Sequence, residues 1–309
     1  MFTFISFALA ADQGGGSGSV TAGAGLDASA GITFPAAGQT ANQGGVPQLE
    51  GDLGFETGGF GGRVDLDLSV VLVDGKLVPI TLLPEQAWVR VTGGDAYLGA
   101  GVFISPWRRE SVDPWDRALT SVSMLSLHAV PTQLAGGSLG WAGDTGGISA
   151  TAGVDLGRGV DLLAPASTWA PDAPLVVGVE GHFGKPNFQV GGGGYYRPAL
   201  KTGGLELDAR FDASVIVVEG QGVIGLAAPS GVTLAAEVLP HFMVSPTARL
   251  EWYGQTPGGA LGVAVRPLPF IRLAAEGTYS DGLPGVWIAA DIFTPQTSRR
   301  AGKGGDLGG

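Results

Sequence analysis

Apolar and polar residues alternate along residues 86–91 and again along residues 96–104. A period of two is typical of a β-strand, because successive side chains leave opposite faces of the backbone. The two runs are joined by residues 93–95, Gly-Gly-Asp, which accept the positive φ angles of a tight hairpin turn. Residues 106–131 follow the second run and form a long stretch rich in tryptophan and charged residues. The pattern predicts a hairpin with a tight turn at one end and a long loop at the other.

The same alternation recurs along the chain and predicts about sixteen strands. No helical period interrupts the series, and no shift in composition marks a domain boundary. A single all-β domain is therefore predicted over residues 19–293. The predicted strands are residues 20–34, 49–56, 64–72, 86–91, 96–104, 132–141, 148–156, 175–183, 188–197, 205–212, 216–221, 232–238, 248–253, 261–266, 271–278 and 286–293.

The lengths of the connections alternate as well. Counted from the first strand, even connections are predicted to be tight turns, at residues 58–59, 93–95, 185–187 and 267–269. Odd connections are predicted to be longer, at residues 35–46, 74–84, 106–131 and 157–173, although the contrast fades toward the C-terminus. Short periplasmic turns and longer outer loops are typical of outer-membrane barrels.

The polar face of most predicted strands carries carboxylates and arginines. In the dry core of a sandwich, each unpaired ion would cost on the order of several kcal/mol. A water-filled lumen removes this cost, while the apolar face of Ala, Val and Leu meets lipid and closure leaves no unpaired edge. The alternation therefore predicts a transmembrane antiparallel up-and-down β-barrel of about sixteen strands with a long third outer loop.

Composition narrows the possibilities without deciding between them. The chain has 309 residues, of which 55 are glycine and 15% are charged, and its mean hydropathy is +0.26. It has no apolar run of about 18 residues, as a membrane helix requires, but a barrel strand needs only about 9–11. A soluble glycine-rich β-protein would have a similar composition. The absence of cysteine excludes disulfides, and a net charge of −11 argues against nucleic acid as a partner.

Three terminal segments are predicted to lie outside the barrel. Residues 1–10 fit a signal-peptide remnant, because an apolar stretch ends in a small-x-small sequence, Ala-Leu-Ala; the alternative is an apolar N-terminal strand. Residues 11–18 are predicted to be a flexible leader. Residues 294–309 are polar and glycine-rich, which predicts a disordered tail.

Particular motifs accompany this pattern. Residues 48–68 read QLEGDLGFETGGFGGRVDLDL, residues 85–91 read EQAWVRV, and residues 97–117 read YLGAGVFISPWRRESVDPWDR. This succession resembles the OmpL-like β-barrel porin family of Gram-negative bacteria, and residues 259–293 look like the closing hairpins of such porins. The resemblance implies a cell outer-membrane location, passive diffusion of small polar solutes or ions, lipid as the surrounding partner and no cofactor. Related general porins are often trimers, and the sequence is compatible with a homotrimer.

In porins that this chain resembles, the third outer loop commonly folds inward and forms the constriction. That implies a constriction built from Arg108, Arg109, Glu110, Asp113, Asp116 and Arg117. These loop carboxylates would face arginines of the barrel wall and produce a transverse field that favours small polar or zwitterionic solutes. The alternative is an outward surface loop whose tryptophans pack on the rim, and the sequence leaves both open.

The polar faces of the strands supply the candidate pore-lining residues. They are Arg63, Asp65, Asp67, Arg90, Glu206, Asp208, Arg210, Glu237, Arg249, Glu251, Arg272 and Glu276. Inward carboxylates outnumber inward arginines, which predicts a mild preference for cations. The alternative is that these groups only keep the lumen wet.

Catalysis and metal binding are not favoured by the sequence. Pairs of carboxylates such as Asp65 and Asp67 recur on many strands, as they do on a hydrophilic wall, whereas an active site occurs once. His128, His182 and His241 have no metal-ligand spacing. We therefore predict a non-enzymatic porin without a metal. A closed or plugged barrel with a structural or adhesive role is the second hypothesis.

Overall fold

The computed structural model describes residues 19–34, 42–70, 72–73, 76–77, 81–108, 119, 121–157, 173–185, 187–239, 243–280 and 282–293. The predicted signal-peptide remnant, leader and C-terminal tail lie outside these residues, as does His241. The helix is α1 Met124–His128, and the strands are β1 Ser19–Thr33, β2 Asn42–Thr57, β3 Phe60–Ser69, β4 Leu72–Val73, β5 Lys76–Leu77, β6 Thr81–Gly93, β7 Ala96–Ile104, β8 Gln133–Gly143, β9 Gly146–Asp155, β10 Leu175–Lys185, β11 Phe188–Arg197, β12 Thr202–Ala213, β13 Ile216–Leu226, β14 Gly231–Val238, β15 Val244–Tyr253, β16 Thr256–Leu268, β17 Ile271–Ser280 and β18 Leu283–Phe293.

Sixteen of these eighteen strands form one closed antiparallel sheet, since the two-residue strands β4 and β5 make only a small hairpin beside β2. Each of the sixteen pairs with two neighbours. Closure comes from β1, which pairs with β2 along one edge and with β18 along the other. The predicted sixteen-stranded antiparallel barrel is therefore confirmed.

The two faces of the barrel wall have opposite character. Glu206 is 1% exposed while its neighbour Leu207 is 70% exposed, and Arg249 at 4% beside Leu250 at 70% repeats the contrast. A water-soluble protein buries its apolar residues and exposes its charges. Here the alternation places apolar side chains on the outer surface and polar ones toward the interior.

Connections at one end of the barrel are short. Five described connections at this end, residues 58–59, 94–95, 144–145, 214–215 and 269–270, have two residues each. Ser19 and Phe293, the outer ends of the first and last strands, lie at this same end. The opposite end carries the longest connection, residues 105–132 between β7 and β8. This is the long third outer loop that the sequence predicts.

Among the predicted strand boundaries that differ from the structure, two lie beside prolines. Strand β16 continues past Pro267 to Leu268, because the pairing with β17 is irregular between Val265 and Leu268. A bulge of this kind tolerates a residue without an N–H group. Strand β6 begins at Thr81 instead of beyond Pro84.

A bulge in β6 also alters the alternation. Asp65 of β3 pairs with Gln86, but the next residue, Leu66, pairs with Pro84. Glu85 is therefore the extra residue, and the period of two breaks at this point. This break explains why the sequence pattern did not reveal the first five residues of the strand, 81–85.

Candidate functional site

The connection between β7 and β8 turns into the barrel. We call residues 105–108, 119 and 121–132 the docked segment. Trp107 is 0% exposed, and so are Met124 and Leu125 of α1. Their partners lie on strands from β10, which is two strands along the sheet from β8, to β17.

Trp107 makes the first contact with that wall. Its indole Nε1 donates a hydrogen bond to the carbonyl of Val179 on β10 at 3.2 Å, and its ring centroid lies 5.3 Å from that of Tyr195 on β11. The side-chain amide of Gln221 on β13 donates to the Trp107 carbonyl at 2.7 Å. A Cβ atom at Gly178 would lie 2.5 Å from the indole, so glycine provides the space that the ring occupies.

Arg249 makes the second contact. Its guanidinium donates to the carbonyl of Ser121 at 2.6 Å, to the Ser121 hydroxyl at 3.0 Å and to the carbonyl of Val122 at 3.3 Å. On β17, the carboxylate of Glu276 accepts a hydrogen bond from the Ser121 N–H at 2.5 Å. Wall side chains therefore satisfy both the donor and the acceptor groups of this stretch of backbone.

The short helix α1 follows directly. Ser123 caps its N-terminus, accepting a hydrogen bond from the Ser126 N–H at 3.2 Å. The Met124 N–H donates to Glu251 on β15 at 2.7 Å. Leu125 lies over Gly231, where an added Cβ would be 2.7 Å from its Cδ1. The helix is thus held against β14 and β15 by one charged hydrogen bond and by apolar contact.

After the helix, the docked segment leads back to β8, next to the end of β7 where it began. The hydroxyl of Tyr195 donates to the Ala129 carbonyl, and that of Tyr253 donates to the His128 carbonyl at 3.4 Å. The Ser105 N–H donates to the Thr132 carbonyl at 3.1 Å. The two ends of the loop are therefore joined by a hydrogen bond, and its middle contacts the wall at β15 and β17.

An apolar cluster forms where the segment meets the wall. Its members are Trp88, Tyr97, Phe103, Trp107, Leu125, Ala129, Val130, Leu134, Val176, Tyr195 and Val223. Several of them occupy strand positions that alternate with outward residues, so they point into the barrel. The sequence interpretation treated the inner face as polar and missed this cluster. The signal was Tyr97 and Phe103, large aromatic residues on the face of β7 opposite Leu98.

The predicted pore-lining residues all lie on described strands, at positions that alternate with exposed apolar residues. Arg63, Asp65 and Asp67 lie on β3, Arg90 on β6, Glu206, Asp208 and Arg210 on β12, Glu237 on β14, Arg249 and Glu251 on β15, and Arg272 and Glu276 on β17. They are distributed around the wall and do not form one cluster. Arg249, Glu251 and Glu276 contact the docked segment.

Predicted wall arginines form ion pairs with carboxylates of the same or the adjacent strand. These pairs include Arg63–Asp65 at 2.5 Å, Arg249–Glu251 at 3.5 Å, Arg272–Asp291 at 2.6 Å, and Arg210 with Glu219 and, at 3.6 Å, with Asp212. The guanidinium of Arg90 lies 5.5 Å from the ring centroid of Trp88. Asp291, which the sequence analysis did not select, is 0% exposed, as is its partner Arg272.

A further group of acids was missed as well. Glu50, Asp65 and Glu85 each offer a carboxylate oxygen within 4.8 Å of the others. Glu85 joins this group because the bulge in β6 turns it toward β3. A strict period of two gives no hint of this placement.

Five of the six predicted constriction residues, Arg109, Glu110, Asp113, Asp116 and Arg117, lie outside the described residues. The sixth, Arg108, is half-buried, and its N–H donates to the Ser105 carbonyl at 3.0 Å. Their role as a constriction stays a prediction.

Comparison with known proteins supports the architecture. No protein-family model and no curated protein matches the chain. Two solved structures of mutant Rhodopseudomonas blastica porin match with TM-scores of 0.59 and 0.60, and one described as "Asymmetric conductivity of engineered proteins" matches with 0.60. Each alignment covers 89% of this chain and 100% of the other at 8% identity. The structural match shows a shared fold, and at 8% identity it shows the fold alone. The chain is therefore a barrel of porin architecture.

The likeness to the OmpL-like family stays a prediction, because it rests on the sequence motifs alone.

Within the described ranges, no helix is long and apolar enough to cross a bilayer.

The close contact between Gly178 and the Trp107 ring leads to a testable prediction. Gly178→Val should destabilise the folded protein by about 1–3 kcal/mol, because the new side chain would overlap both the Trp107 ring and the carbonyl oxygen of Gly194 on the neighbouring strand. The measurement is the urea midpoint of unfolding in detergent. Gly277→Val is the matched control, since a Cβ there meets nothing within 4 Å. Equal midpoints for the two variants would contradict the close packing of Trp107 and Gly194 around Gly178.

Proposed function

We propose that this chain is an outer-membrane porin, a lipid-embedded barrel through which small hydrophilic solutes diffuse. The observation that carries the proposal is the reversed polarity of a closed barrel. An apolar outer surface suits lipid, a polar inner surface suits water, and closure leaves every strand hydrogen-bonded within the bilayer.

The distribution of outward aromatic residues supports the membrane placement. Aromatic girdles at both interfaces are typical of transmembrane barrels. Exposed aromatic residues near the short-turn end are Phe55, Phe60, Trp141, Phe183, Phe188, Phe211 and Phe270. Those near the long-loop end are Phe34, Tyr196, Trp252 and Tyr279.

The proposal includes the path to the membrane. In this proposal, residues 1–10 are the remnant of a signal peptide that directs export. The location is the outer membrane of a Gram-negative bacterium. Assembly into a homotrimer stays an expectation from the resemblance.

We propose further that the third outer loop narrows the channel. Support comes from the docked segment, which contacts the inner wall at β10 through Trp107 and at β17 through Ser121. The predicted constriction charges lie between these two anchors in the sequence. In this proposal Glu110, Asp113 and Asp116 supply the carboxylates of the constriction, beside Arg108, Arg109 and Arg117.

A mild preference for cations is part of the same proposal. Inner-face carboxylates outnumber inner-face arginines, and the arginines lie beside carboxylates that cancel their charge. The surplus negative charge lowers the energy of a cation in the lumen. The inward carboxylates that carry it include Asp27, Glu50, Asp52, Asp67, Glu180, Glu206 and Glu276.

One observation favours a second candidate, a plugged barrel with a structural role. The apolar cluster around Trp107 occupies part of the space inside the wall, and many inward carboxylates are buried. In this second candidate such packing closes the whole lumen, and the barrel conducts no ions. Measurement of conductance distinguishes the two candidates.

Purified protein in a planar lipid bilayer should produce stepwise increases in ionic current. Under a salt gradient, the reversal potential should have the sign that indicates cations, because negative charge predominates on the inner wall. Boiled protein is the control, since it lacks the barrel. The absence of current from folded protein would favour the plugged barrel, and a reversal potential favouring chloride would reject the cation preference.

The constriction is tested by the double variant Asp113→Asn and Asp116→Asn. We expect a measurable loss of cation selectivity with little change in barrel stability, because charge is removed while side-chain size is kept. Asp144→Asn is the control, since Asp144 lies in an exposed turn at the other end of the barrel. Unchanged selectivity and conductance in the double variant would rule out these two residues as part of a constriction.

Membrane embedding is tested on the outer face. Leu261 is 71% exposed near the middle of β16, and Leu261→Arg should cost about 2–4 kcal/mol of folding free energy in lipid vesicles. Leu200→Arg, in the connection between β11 and β12, should cost about 0–1 kcal/mol. If both arginines were tolerated equally, the outer face of β16 would not be in contact with hydrocarbon.

A further inference from the structure

We propose that Arg249, Glu251 and Glu276 form a clamp that holds the docked segment by its backbone and so determines its position in the barrel. These three residues were predicted only to line a pore. The inference deepens the proposed function, because the clamp fixes the element that would narrow the channel. Its test reads the position of the segment and does not depend on conduction.

The contacts of the clamp go mainly to main-chain atoms. Glu276 and Glu251 accept hydrogen bonds from the N–H groups of Ser121 and Met124 at 2.5 and 2.7 Å. Arg249 donates to the carbonyls of Ser121 and Val122 at 2.6 and 3.3 Å. Arg249 also donates to the side-chain hydroxyl of Ser121 at 3.0 Å. Recognition therefore depends on the path of the backbone more than on which side chains it carries.

The charges of the clamp are deeply buried. The side chains of Arg249 and Glu251 are 3% and 1% exposed and lie 3.5 Å apart. Charges removed from water to this extent require several fixed partners, or their desolvation is not offset. The backbone of the docked segment supplies such partners. Removing either side of this arrangement leaves buried charge behind, which makes the docked position strongly preferred.

Strand β16 leaves room between the two halves of the clamp. It lies between β15, which carries Arg249 and Glu251, and β17, which carries Glu276. Its residues at this level are small: Gly258, where a Cβ would lie 2.6 Å from the Met124 methyl, and Gly262, where a Cβ would lie 2.9 Å from Glu276 Cβ. The small residues of β16 thus leave space for the docked segment between the charged side chains of β15 and β17.

Arginine suits this position better than lysine. A guanidinium presents several N–H donors in a planar fork and can reach two carbonyls at once, whereas an ammonium is a compact point charge. Arg249 uses both terminal nitrogens in this way. The geometry predicts that lysine restores only part of the function of Arg249.

The chain contains no cysteine, so an introduced thiol is its only one. Met124→Cys places a thiol where the native side chain is 0% exposed, and Leu127→Cys places one on the same helix where it is 41% exposed. The experiment measures the rate at which each thiol reacts with a water-soluble maleimide, using full-length protein refolded in detergent micelles. The backgrounds are the wild type, Arg249→Ala, Arg249→Lys and Arg210→Ala. Arg210 is the matched control, because it forms ion pairs with Glu219 and Asp212 of the wall.

In the wild-type and Arg210→Ala backgrounds, we expect the thiol at position 124 to react much more slowly than the thiol at position 127. Arg249→Ala should raise the rate at position 124 by about tenfold or more, because charged hydrogen bonds that hold the segment are lost. Arg249→Lys should give an intermediate rate. The rate at position 127 should stay the same in all four backgrounds.

An unchanged slow rate at position 124 in Arg249→Ala would overturn the proposal, provided that heat-modifiable migration on a gel shows a folded barrel. If Arg249→Ala does not fold, the pair Glu276→Ala and Glu276→Gln decides the matter. Alanine removes the acceptor for the Ser121 N–H and should expose position 124, while glutamine keeps an acceptor oxygen and should protect it. Equal rates in that pair would also overturn the proposal. A protein that shows the expected rates but conducts no ions would leave the clamp standing and reject the porin function.

Discussion

Closure of the sheet between β1 and β18 is the constraint on which the rest of the structure depends. Once these strands pair, each of the sixteen barrel strands has two hydrogen-bonded neighbours, and the backbone requires nothing from its surroundings. The side chains are then divided into two sets by a period of two. Apolar residues such as Leu207, Leu250 and Leu261 face outward, and charged ones such as Glu206 and Arg249 face inward. An apolar exterior is stable only where water is excluded, which connects the fold to a bilayer.

The docked segment lies against part of the inner wall. Where the segment meets the wall, an apolar cluster built on Trp107 fills the space, and β15 and β17 hold the backbone by charged hydrogen bonds. The inner wall of β1 to β3 is different, because Asp27, Glu50, Asp52, Asp65 and Asp67 make it strongly acidic. The proposed channel thus has one side that anchors the loop and another that carries negative charge.

Much of the fold follows from the sequence, because alternation is a local property that depends on successive residues. It predicts the number of strands, the faces they present and which connections are long. It does not predict contacts across the lumen, which join residues far apart in the chain, such as Trp107 with Gln221 or Ser121 with Arg249. It also fails where the period breaks, as at Glu85. Alternation places Arg249 and Glu276 inside the barrel. Only the path of the loop shows that these two residues bind the backbone of Ser121.

The central claim is that the barrel encloses an aqueous channel that the docked segment narrows. It is tested most directly by replacing residues 106–131 with a short Gly-Ser turn. The replacement keeps the barrel strands, because Ser105 and Thr132 are already joined by a hydrogen bond at 3.1 Å. The measurement is the single-channel conductance of the variant and of the wild type in the same bilayer and salt. The account predicts a clearly larger conductance for the variant, and an equal or smaller conductance from a folded variant barrel would contradict it.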